Sequence, residues 1–216
     1  MTSLTFYTNP MSRGRIARWM LEEVGQPYET VLLEYGGSMK GADYLAINPM
    51  GKVPAIKHGD VVVTEGAAIC AYLADAFPQA GLAPQHGTPE RGTYYRWLFF
   101  AAGPLESAVT AKAMGLLAPA DKAMMAGYGT FESVMDALES AVSGPAWICG
   151  DQFTAADVYV GAQIGWGLQF GTMEKRPAFE AYSARLSERE AAKRAASLDD
   201  ADMAKVTPPR MAEPAA

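Results

Sequence analysis

Apolar positions along this chain change their period near residue 80. Before that point short apolar runs alternate with helical stripes. Leu4 to Thr8 reads as a strand, and Ile16, Trp19, Met20 and Val24 recur at helical spacing until Gly25 and Pro27 stop the run. Tyr28 to Leu33 reads as a second strand, Tyr35 to Gly41 as a glycine-rich loop, and Ala42 to Leu45 as a short helix. Ala55 to Lys57 and Val61 to Val63 flank a Gly59-Asp60 turn, with glycine suitably placed for a hairpin. Ile69, Leu73, Ala76 and Phe77 then fall at i, i+4, i+7 and i+8, one face of a closing helix.

After Pro78 the loop Gln79 to Pro89 is rich in Gly and Pro and reads as a linker, and the chain beyond it is helical in pattern. Phe131, Val134, Met135, Leu138 and Val142 mark an amphipathic helix. Another starts at Thr154, with Asp157 closing a variant capping box and Phe153 placed to staple onto Val158. Gly161, Gly165 and Gly167 lower its helix propensity, so close packing is expected there. Tyr94, Tyr95, Trp97, Phe99 and Phe100 point nearly all the way round the preceding long helix, which predicts burial on every side. Ser197 to Ala216, with Asp199-Asp200 and three prolines, reads as an extended or mobile tail. The predicted division is 1–78, a linker at 79–89, a helical unit at 90–196, and a tail at 197–216.

Composition narrows the function classes. A net charge of −6 argues against nucleic-acid binding, which needs a clustered excess of Lys and Arg. No apolar run is long enough to span a bilayer, and Met1-Thr2-Ser3 leads straight into a strand without a basic, apolar leader. A cytoplasmic location is expected. Cys70 and Cys149 lack C-x-x-C spacing, which removes a dithiol redox reading, and Cys70 should be packed and inert. His58 on the hairpin and His86 in the linker are expected to be exposed, with no cluster that suggests a metal. Arg185, Arg189, Lys193 and Arg194, interleaved with Glu188 and Glu190, read as a solvated face.

The most informative segment runs from Asn48 to Leu73. Pro54 cannot donate to a sheet ladder and belongs at a strand start, with Val53 extended before it. A cis Val53-Pro54 bond would leave the Val53 N–H and C=O facing outward, ready to take an extended peptide by strand addition. The helix opening at Glu65 and Gly66 offers free N–H groups to an anion, and the Glu65 carboxylate could hold an ammonium. Lys52 could meet a ligand carboxylate or stay solvated.

In this order the segment closely resembles the glutathione-binding half of the cytosolic glutathione transferases. The run Gly150-Asp151-Gln152-Phe153-Thr154-Ala155-Ala156-Asp157 resembles the capped helix in the core of their second domain. The resemblance implies an α/β thioredoxin-like N-terminal domain followed by an all-α helical-bundle C-terminal domain, and a bacterial-like member of the serine type. It implies glutathione as co-substrate, held by Lys52, Val53, Pro54, Glu65 and Gly66, and a homodimer. The family keeps its thiol-activating group between the first strand and first helix, here Asn9 to Arg15. Ser12 is the preferred candidate, with Tyr7 and Asn9 as rivals. A Ser12 hydroxyl could accept from the helix backbone while donating to a thiolate. Gly66 stands where the family more often has Ser or Thr, a loss of one hydrogen bond worth about 0.5–1.5 kcal/mol. The implied reaction is conjugation of glutathione thiolate to small apolar electrophiles, with Met11, Phe100 or Leu105 lining the acceptor pocket. Glutathione-dependent isomerisation, ether cleavage, dehalogenation and a non-catalytic binding role remain open alternatives.

Overall fold

The computed structural model describes residues 2–208. Strand β1 (Leu4–Thr8) leads through a loop to helix α1 (Gly14–Val24), then β2 (Glu29–Leu32), α2 (Ala42–Leu45), the hairpin β3 (Ala55–His58) and β4 (Val61–Thr64), and α3 (Gly66–Ala76). The sheet order is β2-β1-β3-β4. β1 pairs parallel with β2 and antiparallel with β3, so Phe6 lies between Thr30 and Ile56. Alternation along β1 buries Leu4 and Phe6 against α1 and α3, while Tyr7 points to the other face and packs on Tyr44. Gly59, at φ 59°, makes the hairpin turn. The Val53–Pro54 bond is cis.

The second layer is helical: α4 (Pro89–Phe100), α5 (Glu106–Ala113), α6 (Phe131–Val142), α7 (Ala155–Phe170), α8 (Pro177–Ser187) and α9 (Glu190–Met203). Between α4 and α5 the chain takes a π-helical turn, Ala101–Leu105, which contains Pro104. Proline has no N–H for the ordinary ladder, and the wider turn carries the helix past it. α7 is the central helix. Its start is fixed by Asp157, which accepts from Thr154 N (2.8 Å) and Thr154 Oγ1 (2.9 Å) through one oxygen, and from Ile148 N (2.7 Å) and Tyr182 Oη (2.6 Å) through the other. Gly161 and Gly167 permit the predicted close approach, since a Cβ at either would overlap Leu186 or Met173. At Gly165 a Cβ would make an ordinary 3.6 Å contact with Ser183 Oγ, so close packing does not require glycine there.

Several expectations need correction. The segment from Ser197 is not a tail at its start: it continues α9 to Met203, and Asp199 is only 1% exposed. Arg18 on α1 explains this, donating to Asp199 (2.8 Å) and Asp202 (2.6 Å) and lying over the Phe6 ring. The rest of that segment beyond residue 208 lies outside the described residues. α4 is not buried all round, because Tyr94 and Trp97 face the core while Tyr95 is 40% and Phe99 74% exposed. His58 is half-buried, with Nδ1 3.0 Å from Tyr72 Oη and its ring against Phe77. Arg189 is no solvated charge: it clamps Glu23 of α1 with two 2.6 Å bonds and stacks over Phe153. Cys70 is fully buried as expected, and burial drives its thiol pKa far up.

Candidate active site

Where the sheet meets the helical layer there is a cavity of about 520 Å³. One wall belongs to the first layer: Met11, Ser12 and Arg13 before α1, Tyr35 and Met39 after β2, and Lys52, Val53, Pro54, Glu65 and Gly66 around the hairpin. The opposite wall is Ala102 from the π turn, Glu106 at the start of α5, and Tyr159 and Trp166 from α7. Lys52, Val53, Pro54, Glu65 and Gly66, the expected ligand contacts, therefore converge on one space.

Their local geometry has clear causes. Neither the N–H nor the C=O of Val53 has a hydrogen-bond partner among the described residues, because pairing with β1 stops at Ala55. α3 follows immediately, and its first N–H groups have no carbonyl behind them to bond. Glu65 caps that helix at φ 66° and ψ 119°, the sole non-glycine with positive φ among the described residues. Lys52 is exposed, while its carbonyl is tied down by Tyr44 Oη (2.6 Å) and Asn48 Nδ2 (2.8 Å), which hold the loop in place.

The three thiol-activating candidates separate. Asn9 is fully buried and structural: Nδ2 donates to Leu33 O (2.8 Å) and Oδ1 accepts from Met11 N (2.9 Å). Tyr7 is not among the cavity-lining residues and packs on Tyr44. Ser12 lines the cavity, accepting from Gly14 N (2.9 Å) and giving its proton to Asn9 O (2.6 Å). The proton of this hydroxyl is engaged within the loop, and the Ser12 side chain is within hydrogen-bonding reach of Tyr35. Facing it, the Tyr35 hydroxyl lies 3.3 Å from Met11 O, and burial raises that phenol's pKa.

The family model for the glutathione S-transferase N-terminal domain matches residues 11–76, and that for the C-terminal domain matches residues 108–190. Glutathione S-transferase GstA of Escherichia coli O157:H7 is 31% identical over 153 residues, covering 69% of this chain and 74% of that protein. The chain belongs to the glutathione S-transferase family. Its fold agrees: a glutathione transferase from Methylococcus capsulatus superposes with a TM-score of 0.76 at 30% identity, covering 92% of this transferase and 99% of that chain. A sphingomonad glutathione S-transferase complexed with glutathione gives 0.74 at 27% identity, covering 91% and 98%.

The helical wall of this transferase was missing from the residue pattern. Arg13 pairs with Glu106 across the two layers, and Gln163 Nε2 donates to the other Glu106 oxygen (3.0 Å). Burial pushes the Tyr159 phenol up to about 12, with the Glu106 carboxylate adding to the shift. Tyr159 also accounts for Gly66, since a Cβ there would stand 3.0 Å from Tyr159 Cε2. Of the expected acceptor-side residues, Met11 lines the cavity, whereas Phe100 does not and Leu105 is fully buried in the core. Among the described residues no group of His, Cys, Asp and Glu could hold a metal ion, and no helix is long and apolar enough to cross a membrane.

Proposed function

We propose that this transferase binds glutathione along Val53 and adds its thiolate to small apolar electrophiles. The observation that carries the reading is the unpaired Val53 backbone facing the same cavity as the open N-terminus of α3 and the Ser12 hydroxyl. The cysteinyl backbone of the tripeptide pairs with Val53 as an added strand. Its γ-glutamyl carboxylate meets the free N–H groups of α3, its ammonium meets Glu65, and Lys52 serves the other carboxylate.

In the reaction the thiol proton passes to solvent, the sulfur forms a bond to the electrophilic carbon, and the leaving group departs with its electron pair. Ser12 acts on the first step. Its hydroxyl turns from the neutral Asn9 carbonyl toward the thiolate, keeping the bond from Gly14 N, because a hydrogen bond to an anion is the stronger of the two. The N-terminus of α1 adds positive potential at the same place. Exposed Phe99 and Tyr95 support a homodimer, and a cytoplasmic location fits the reading.

Equilibrium titration with glutathione, paired with mass detection of a thioether product from a chlorodinitrobenzene, tests the proposal. Saturation below millimolar ligand and a product with the summed mass of glutathione and the chlorodinitrobenzene less hydrogen chloride are expected. Absence of saturable binding at millimolar glutathione refutes it.

A further inference from the structure

Charged groups are distributed unequally around the cavity. Lys52 and Glu65 stand at the hairpin, on the tripeptide side; Arg13 and Glu106 stand where the helical layer comes in. The two partners of this second pair are held very differently. Glu106 opens α5 directly after the π-helical turn, and Gln163, itself 8% exposed, fixes one of its oxygens from α7. The other oxygen takes the Arg13 guanidinium. Arg13 is 50% exposed along its side chain, with no anchor besides Glu106 among the described residues. A guanidinium at the mouth of a partly apolar cavity would be a strong site for a planar carboxylate, because its fork of N–H groups matches that geometry. Glu106 already takes one arm of that fork, Nη2, and sets its own negative charge against it.

We propose that Glu106 sets the charge selectivity of the acceptor half: by cancelling Arg13 it restricts this transferase to uncharged electrophiles and turns away those that carry a carboxylate. The inference rests on the conjugation reading above. A carboxylate-bearing acceptor must displace Glu106 from Arg13 or share the guanidinium with it, and either arrangement leaves two like charges close together. An uncharged acceptor breaks no ion pair and gains apolar contact with Trp166, Tyr159 and Met11.

A matched pair of acceptors tests this: chlorodinitrobenzoate and its neutral amide, which lose the same chloride and form the same carbon–sulfur bond. The quantity read is the ratio of their kcat/KM values, divided by the ratio of their uncatalysed rates with glutathione. Glu106→Gln keeps the side-chain shape and still accepts from Gln163. It should move the ratio toward the benzoate by up to about fivefold, the upper end for a partly exposed charge pair, and added salt should shrink the shift. Glu106→Ala removes the same charge without the amide and should move the ratio in the same direction. Arg13→Gln should move it toward the neutral amide, and the double variant E106Q/R13Q should lie near wild type. A ratio unchanged in both Glu106 variants, with the amide still turned over, overturns the inference and leaves conjugation standing. No turnover of either acceptor by the wild type overturns the conjugation reading, and this inference with it.

Discussion

Replacing Glu65 by glycine separates what the backbone needs at this position from what the ligand needs. At φ 66° and ψ 119° an L residue lies outside its comfortable regions, and such a conformation stores about 1–3 kcal/mol. Glycine removes that strain and loses about 0.5–1 kcal/mol through its freer unfolded chain. Alanine keeps the strain and, like glycine, lacks the carboxylate. Glu65→Gly should therefore be about 1 kcal/mol more stable than Glu65→Ala, a difference of about 2–4 °C in melting temperature for a chain of this length. Both variants lose the charge partner of the glutathione ammonium, so both should bind glutathione about tenfold more weakly, or 1.4 kcal/mol. Thermal unfolding without ligand, followed by glutathione titration of the three proteins, reads both effects. If Glu65→Gly melts no higher than Glu65→Ala, the backbone reasoning is wrong; if either variant binds like wild type, the role given to the carboxylate is wrong.

Gly66→Ser should fail to strengthen glutathione binding in the wild-type background, because the new Cβ meets the Tyr159 ring. Combined with Tyr159→Ala it should tighten binding relative to Tyr159→Ala alone by about 0.5–1.5 kcal/mol, and calorimetric titration checks both. Asp157→Ala strands Ile148 N, Thr154 N and Tyr182 Oη without an acceptor, and denaturant unfolding should show a loss of about 3 kcal/mol or more. Burial raises the Asp199 carboxyl pKa from 3.8 to about 6, against the pull of Arg18. With the folded value above the unfolded one, the folded state holds the extra proton in that window, so wild type should lose stability relative to Asp199→Asn as pH rises from 3.8 to about 6. Denaturant melts across that range check the sign, and a difference that does not vary with pH contradicts it.

Local signals were legible in the sequence. The Gly59 hairpin, the short α2, the apolar face of α6 and the Asp157 cap each depend on neighbours a few residues away, and each formed where its pattern lay. What depended on distant packing did not show. The last turns of α9 are acidic and carry no apolar stripe, and it is Arg18, on a helix near the other end of the chain, that bridges Asp199 and Asp202 and offsets their burial, with Lys205 adding a bond to Asp202. Phe99 and Phe100 are adjacent and chemically alike, yet one lies in solvent and the other against Trp97, because α4 packs on one side alone. The candidate site divides along the same line. Its hairpin wall follows from Val53-Pro54 and the start of α3, whereas Glu106, Tyr159 and Trp166 reach the cavity through the packing of α5 and α7 over the sheet. Gly66 likewise answers to a distant residue, the Tyr159 ring packed against it from α7. The Ser12 hydroxyl is placed by loop geometry too fine for residue type to indicate, so both of its bonds emerged with the structure.

The sharpest measurement is the ultraviolet thiolate absorbance of glutathione bound to wild type and to Ser12→Ala, followed across pH at saturating ligand. If Ser12 turns its proton to the sulfur, wild type should show the bound thiol ionising well below the free value of about 8.5, and Ser12→Ala should restore it toward that value while still binding glutathione. A bound thiol with the same ionisation in both proteins would contradict the assignment, leaving Ser12 as a loop cap and directing attention to the Tyr35 hydroxyl that faces it.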